Sequence, residues 1–127
     1  MTALGDIGEY DVVLCQHALE HLYPFEVPRA CGEFHRVLAP EGRVIIVVPD
    51  LEDVRPTEEM LYTSPSGPVC GLDLYYGLHN LLEALPYMAH HGGFTSASLQ
   101  RVIEAAGFRR AITRRMNWFT LLAVGVK

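Results

Sequence analysis

Hydrophobic positions along the chain fall into a few sharp patterns. The run Asp11-Val12-Val13-Leu14-Cys15 is apolar and β-branched behind an opening acid. Such an unbroken run predicts a strand buried on both faces of a parallel sheet. Pro28 suits the first turn of a helix. Ala30, Phe34, Val37 and Leu38 then recur at i, i+4, i+7 and i+8, one stripe of an amphipathic helix. Pro40-Glu41-Gly42 reads as a turn, and Arg43 to Val48 as a second buried strand. Strand, helix and strand together make a βαβ unit, whose crossover should be right-handed.

The flanking segments are less regular. Met1 to Glu9 shows no periodicity and reads as a lead-in. Leu51 to Gly71 is rich in Pro, Ser, Thr and Glu, the composition of a loop or lid. Leu74, Leu78, Leu81, Leu82 and Leu85 fall near helical spacing, so one helix is expected over Leu72 to Leu85, ending before Pro86. Thr95 can cap a further helix with Leu99, Val102, Ile103 and Ala106 as its stripe and Gly107 at its end. Phe108 to Met116 and Asn117 to Val126 read as two more strands, joined tightly enough for an antiparallel hairpin. With no repeat and no internal boundary, residues 1–127 form one domain.

Composition narrows the function classes. A chain of 127 residues, 50% hydrophobic, can bury a real core. Its apolar runs fall far short of the roughly 20 residues of a membrane span, so no membrane partner is expected. No basic-then-apolar leader opens it. Three widely spaced cysteines, Cys15, Cys31 and Cys70, argue against a disulfide framework or a zinc knuckle. The expectation is a cytoplasmic protein. A net charge of -5 makes a nucleic-acid partner unexpected, because phosphate binding needs clustered cations.

Three segments carry a family resemblance. Asp11-Val12-Val13 with Leu19-Glu20-His21 resembles the D-V-[IV]-x-x-x-x-x-L-E-H segment of class I S-adenosylmethionine (SAM)-dependent methyltransferases of the type 11 kind. Leu38 to Val44 resembles their L-x-P-G-G-x-[LIV] segment, with Glu41 in place of a glycine. Gly93-Phe94-Thr95, Leu99 and Ala105-Ala106-Gly107-Phe108 resemble the segment before their sixth strand. The likeness is to the C-terminal half only. It implies an α/β fold: a partial Rossmann-like methyltransferase sheet, strands 4, 5, 6 and 7 of the family, with flanking helices. Those strands start near Asp11, Arg43, Arg109 and Trp118, and the implied spatial order is first, second, fourth, third. The last is antiparallel.

The resemblance also implies SAM as cofactor. In that scheme a glycine-rich turn lets the backbone approach the ligand, and an acid on the second strand holds the ribose. This sequence contains no G-x-G pair. The expectation is a truncated domain lacking the N-terminal cofactor-binding half, with no tight SAM binding and no activity from this chain alone. Gln16 and His17 would form the remaining cofactor wall. The implied function is a SAM-dependent methyltransferase with no acceptor specified. The alternatives are a non-catalytic remnant serving as an interaction or regulatory subunit, or one half of a split enzyme.

His17, Glu20 and His21 are the sharpest chemical cluster. Imidazole changes charge near neutral pH, so His17 is the candidate general base. Glu20, His21, Tyr75, Tyr76 and His91 are candidate substrate-pocket residues, and Tyr62 and Tyr87 could join the tyrosines at its mouth. Such a cluster also suits zinc, iron or manganese. The small-RNA 2′-O-methyltransferases carry a similar one, with Glu where His17 stands and a distant histidine to which His90 or His91 would correspond. Because of that departure, no metal is expected. Arg101, Arg109, Arg110, Arg114 and Arg115 read as cations that blunt an edge strand. The opposite edge, residues 11–15, has no such protection, which predicts a homodimer through it.

Overall fold

The computed structural model describes residues 9–127, so the lead-in expected over Met1 to Glu9 lies outside the described residues except at Glu9. Strand β1 (Tyr10–Gln16) runs into a 3-10 turn at Leu19–His21 and then helix α1 (Val27–Val37). Strand β2 (Leu38–Pro49) follows, then a small hairpin of β3 (Met60–Ser64) and β4 (Gly67–Cys70). Helices α2 (Gly71–Tyr76) and α3 (His79–Leu82) lead through a 3-10 turn at Pro86–Met88 to α4 (Ser96–Ala105). Strands β5 (Arg109–Met116) and β6 (Thr120–Val126) complete the chain. The main sheet has the order β1-β2-β6-β5, the order the resemblance implied. β1 and β2 are parallel, and β6 is antiparallel to both its neighbours.

One face of this sheet carries the core. Val44, Ile46, Val48, Leu121 and Ala123 are buried beneath Ala30, Cys31 and Phe34 of α1 and Leu99 and Ile103 of α4. The helices form where expected. Pro28 stands in the first turn of α1. Thr95 and Ser98 cap α4 reciprocally: the Ser98 N–H donates to Thr95 Oγ1 at 3.3 Å, and the Thr95 N–H donates to Ser98 Oγ at 2.9 Å. Gly107 ends the turn at φ 101°, in the left-handed region that favours glycine.

The other face is open. Leu14, Ile45, Val124 and Ile112 stand in register across all four strands of the sheet. At the two edges Leu14 is 62% and Ile112 66% exposed. This corrects the expectation that the Asp11 to Cys15 run is buried on both faces. Cys15 is buried and Val13 half-buried, while Val12 and Leu14 face solvent. The run has the composition of a central strand, but the described chain covers only one side of it.

Three further expectations change. Pro40-Glu41-Gly42 does not separate α1 from β2 but lies inside β2 as an irregularity. Tyr10 pairs with Leu38 and Val12 with Arg43, so the intervening residues bulge, with Glu41 at φ 66°. The loop expected over Leu51 to Gly71 contains the β3–β4 hairpin, which has its own small core of Val54, Val69 and Leu74. The single helix expected over Leu72 to Leu85 breaks at Gly77, whose φ of 101° no continuing helix adopts. Leucine spacing persists across a break that one glycine makes.

Gly125 marks the closest approach of the α4–β5 connection to the sheet. A Cβ there would lie 2.8 Å from Phe108 Cβ and 3.0 Å from Ile103 Cγ2, both buried. Gly125→Ala is therefore expected to lower the unfolding free energy by about 1–3 kcal/mol, read from chemical denaturation.

Candidate functional site

β1 and β2 end side by side, and the chain turns sharply there. His17 takes φ 49° at the end of β1, its N–H donating to Val47 O at 2.8 Å. The 3-10 turn that follows buries Leu19 and Glu20. A second segment, Ala89 to Gly92, is laced onto this turn. The His91 and Gly92 N–H groups both donate to Glu20 O, at 2.8 and 3.3 Å. His21 Nδ1 is 3.1 Å from Ala89 O, and His91 Nδ1 is 2.8 Å from His21 O. Carbonyls only accept, so each of these Nδ1 atoms carries the proton. Tyr23 stacks on the His91 ring at 4.2 Å.

Above this laced turn lies a cavity of about 350 Å³. Leu74, Leu78, Leu81, Met88, Val69 and Phe119 make its apolar walls. The polar floor is His17, Glu20, His21 and His90. Glu20 is only 2% exposed, and its Oε2 has no hydrogen-bond partner among the described residues. Burial raises its pKa above the ordinary carboxylate value, outweighing the pull of His21 and His17 in the opposite direction. His90 is shifted the other way: burial lowers its pKa, although its Nδ1–H donates to Leu74 O at 2.9 Å. This floor can therefore hold one proton among several groups, or share a cation.

The structure brings His17, Glu20 and His21 together as expected, with His17 Nδ1 and His21 Nε2 each 3.8 Å from Glu20 Oε1. The other candidates fall elsewhere. Gln16 is exposed at the end of β1 and does not line the cavity. Tyr75 turns away, its hydroxyl donating to Val54 O at 2.8 Å, and Tyr76 is 55% exposed. His91 points outward onto Tyr23, so the neighbour that enters the cavity is His90. Sequence alternation could not choose between adjacent histidines, because the segment is neither helix nor strand. Tyr62 joins the lining from β3. Of the arginines, Arg109 pairs with Glu41 at 2.6 Å and Arg115 with buried Asp50 at 2.7 Å. Cys15 and Cys31 are core thiols, pushed up by burial to about 11 and about 12.

Comparison with known proteins gives the family and the fold. A family described as "Methyltransferase domain" matches residues 5–111. The chain belongs to the methyltransferase-domain family. Among solved structures, an O-methyltransferase family protein from Burkholderia thailandensis is 18% identical with a TM-score of 0.62, covering 96% of this chain and 31% of that one. The 1,6-didemethyltoxoflavin-N1-methyltransferase of the same organism, solved with 1,6-didemethyltoxoflavin and S-adenosylhomocysteine, is 18% identical. Its TM-score is 0.58, over 99% of this chain and 47% of that one. Human N-acetylserotonin methyltransferase, in complex with SAM, is 12% identical with a TM-score of 0.58, over 92% of this chain and 29% of that one. The chain thus has the methyltransferase fold and spans about a third of the length of the first of these relatives. No curated protein matches it. Among the described residues no helix is long and apolar enough to cross a membrane.

Asp73 organises the cavity roof of this methyltransferase-fold chain. Its carboxylate accepts from Cys70 N at 2.9 Å and from His79 N at 3.1 Å, and lies 2.6 Å from His79 Nδ1. It so caps α2 and bridges the Gly77 break to α3. Burial opposes ionisation, but these hydrogen bonds outweigh it and hold the pKa at about 2 against an ordinary 3.8. A depressed acid stabilises the fold above its unfolded pKa, and that contribution is lost as pH falls through the folded value. Asp73→Asn is expected to cost on the order of 2 kcal/mol at pH 7. The difference from wild type should shrink below pH 3.8 and close near pH 2, followed by thermal melts across that range.

Proposed function

We propose that the cavity is the methyl-acceptor pocket of a SAM-dependent methyltransferase site, and that this chain supplies the acceptor side of it. The observation that carries this is the position of an apolar, polar-floored cavity at the carboxyl ends of the parallel strands β1 and β2, where open α/β sheets bind ligands. Its walls suit a small, largely apolar acceptor, and His17 on its floor is the base available to take the proton of a nucleophilic hydroxyl. For the cofactor the described residues offer one wall only, Gln16 and His17, and no glycine-rich turn. They do not make a cradle for SAM.

Two titrations test this reading. Small hydroxylated aromatic compounds should shift the NMR resonances of Tyr62, Leu78 and His90, and Leu78→Trp should abolish the shifts by filling the cavity. Shifts elsewhere, or none, would overturn the acceptor pocket. S-adenosylhomocysteine titrated by calorimetry should bind more weakly than about 100 µM, about -5.5 kcal/mol. Low-micromolar binding would show that the cofactor grip is complete.

The open sheet face favours a second reading, in which the chain acts as an interaction subunit. We propose that a second copy covers β1, making a homodimer. Val12 and Leu14 are exposed on a strand whose only partner among the described residues is β2, and such an edge is a template for another strand. Light scattering at micromolar concentration should give twice the chain mass, and Leu14→Lys should return the monomer. A wild-type monomer sinks the dimer and leaves the acceptor pocket standing.

A further inference from the structure

We infer that the cavity floor is a binding site for one divalent transition-metal ion of the zinc class, held by Glu20, His21 and His90. The cluster takes Glu20 and His21 from the turn and adds His90, which the structure selects over His91. It joins the 3-10 turn after β1 to the segment after Met88, and one donor atom from each residue lies within 4.8 Å of the other two. His17, the position that argued against a metal, is not needed: His90 provides the third donor.

The chemistry of each donor points the same way. Glu20 is 2% exposed, yet among the described residues its Oε2 meets no hydrogen-bond donor, and its Oε1 is 3.8 Å from both His17 Nδ1 and His21 Nε2, too far for a hydrogen bond. Buried carboxylates are normally paired or coordinate a metal. Both imidazoles have their Nδ1–H pinned on a backbone carbonyl, His21 on Ala89 at 3.1 Å and His90 on Leu74 at 2.9 Å. That fixes the tautomer and presents each Nε2 lone pair, the arrangement in which metal-ligating histidines are held. The two rings meet edge to face at 5.0 Å.

Tetrahedral zinc with ligands at about 2.1 Å separates them by about 3.4 Å. From separations within 4.8 Å the cluster would therefore tighten by up to about 1.4 Å, within reach of one long side chain and one loop residue. Two nitrogens and one oxygen suit zinc, cobalt, iron or manganese and not magnesium or calcium, which take oxygen shells. The fourth position opens into the cavity and is free for water or His17. Bound there, the ion neutralises the buried carboxylate and ties the Ala89 to Gly92 segment to the end of β1. It acts as a clamp on the pocket wall.

The test uses the full chain, freed of metal with a chelator. Cobalt(II) is followed by visible absorption and zinc by calorimetry, with thermal melts of both forms. One ion per chain, visible cobalt bands of a tetrahedral or five-coordinate site and a raised Tm are expected. Glu20→Gln and His90→Gln should each weaken binding about 100-fold. His35→Gln, beside Phe108 on the other side of the helices, should bind as wild type. Glu20→Gln removes a buried charge and keeps the side-chain shape, so circular dichroism should show it folded; if it is not, His90→Gln decides. Absent cobalt bands, an unmoved Tm, or binding that survives both substitutions would overturn the site. So would equal weakening by His35→Gln. None of these outcomes bears on acceptor binding, which is read without metal.

Discussion

Ile46, Val48, Leu121 and Ala123 are fully buried because α1 and α4 lie across them, and those helices cover a single face of the sheet. The order β1-β2-β6-β5 follows from that packing: the most apolar strand pair sits centrally, under both helices. On the reverse side the row Leu14, Ile45, Val124 and Ile112 has the same aliphatic character and no cover within the described residues. Apolar area removed from water contributes roughly 25 cal/mol per Å², a contribution this row does not make within the described residues. One-sided packing also leaves the strand ends accessible, which is why the cavity lies there and not within the core.

The cavity depends on a different kind of interaction. Hydrogen bonds between Glu20, His21, Ala89 and His91 hold two segments nearly seventy residues apart against each other. They place Glu20 in a site where its carboxylate is desolvated and its Oε2 has no donor among the described residues. A group so placed costs free energy unless a proton or a cation joins it. The fold keeps Glu20 there while Asp73, the other acid of the cavity lining, accepts hydrogen bonds from Cys70 and His79. Two buried acids in one cavity thus have opposite shifts, and the difference is whether donors were built around them.

Much of the fold was legible in advance. Strand β1, the α1 stripe, the Thr95 cap, the Gly107 stop and the terminal hairpin each rest on local patterns whose physics is local: periodicity, capping and turn chemistry. The failures were local patterns read without their neighbours. Leucine spacing suggested one helix over Leu72 to Leu85, but Gly77 adopts a left-handed φ that Asp73 then bridges. Polar composition over Leu51 to Gly71 suggested a loop, but Leu61, Tyr62 and Val69 pack with Val54 and Leu74 well enough to hold a hairpin.

The site divides in the same way. His17, Glu20 and His21 were visible because a strand end and its turn put them within five residues of each other. His90 was not separable from His91 by any local rule, and of the candidate tyrosines Tyr75 is bonded to Val54 O and Tyr76 is exposed, while Tyr62 lines the cavity. Sequence alone determined the main strands, α1 and α4 from side-chain periodicity, and short motifs carried the family resemblance that implied the order of the sheet. Only the tertiary structure decided which acid is left unsatisfied, which histidine faces it and which sheet face stays bare. Those depend on contacts between residues distant along the chain, where burial and hydrogen-bond supply are set by what the fold brings alongside.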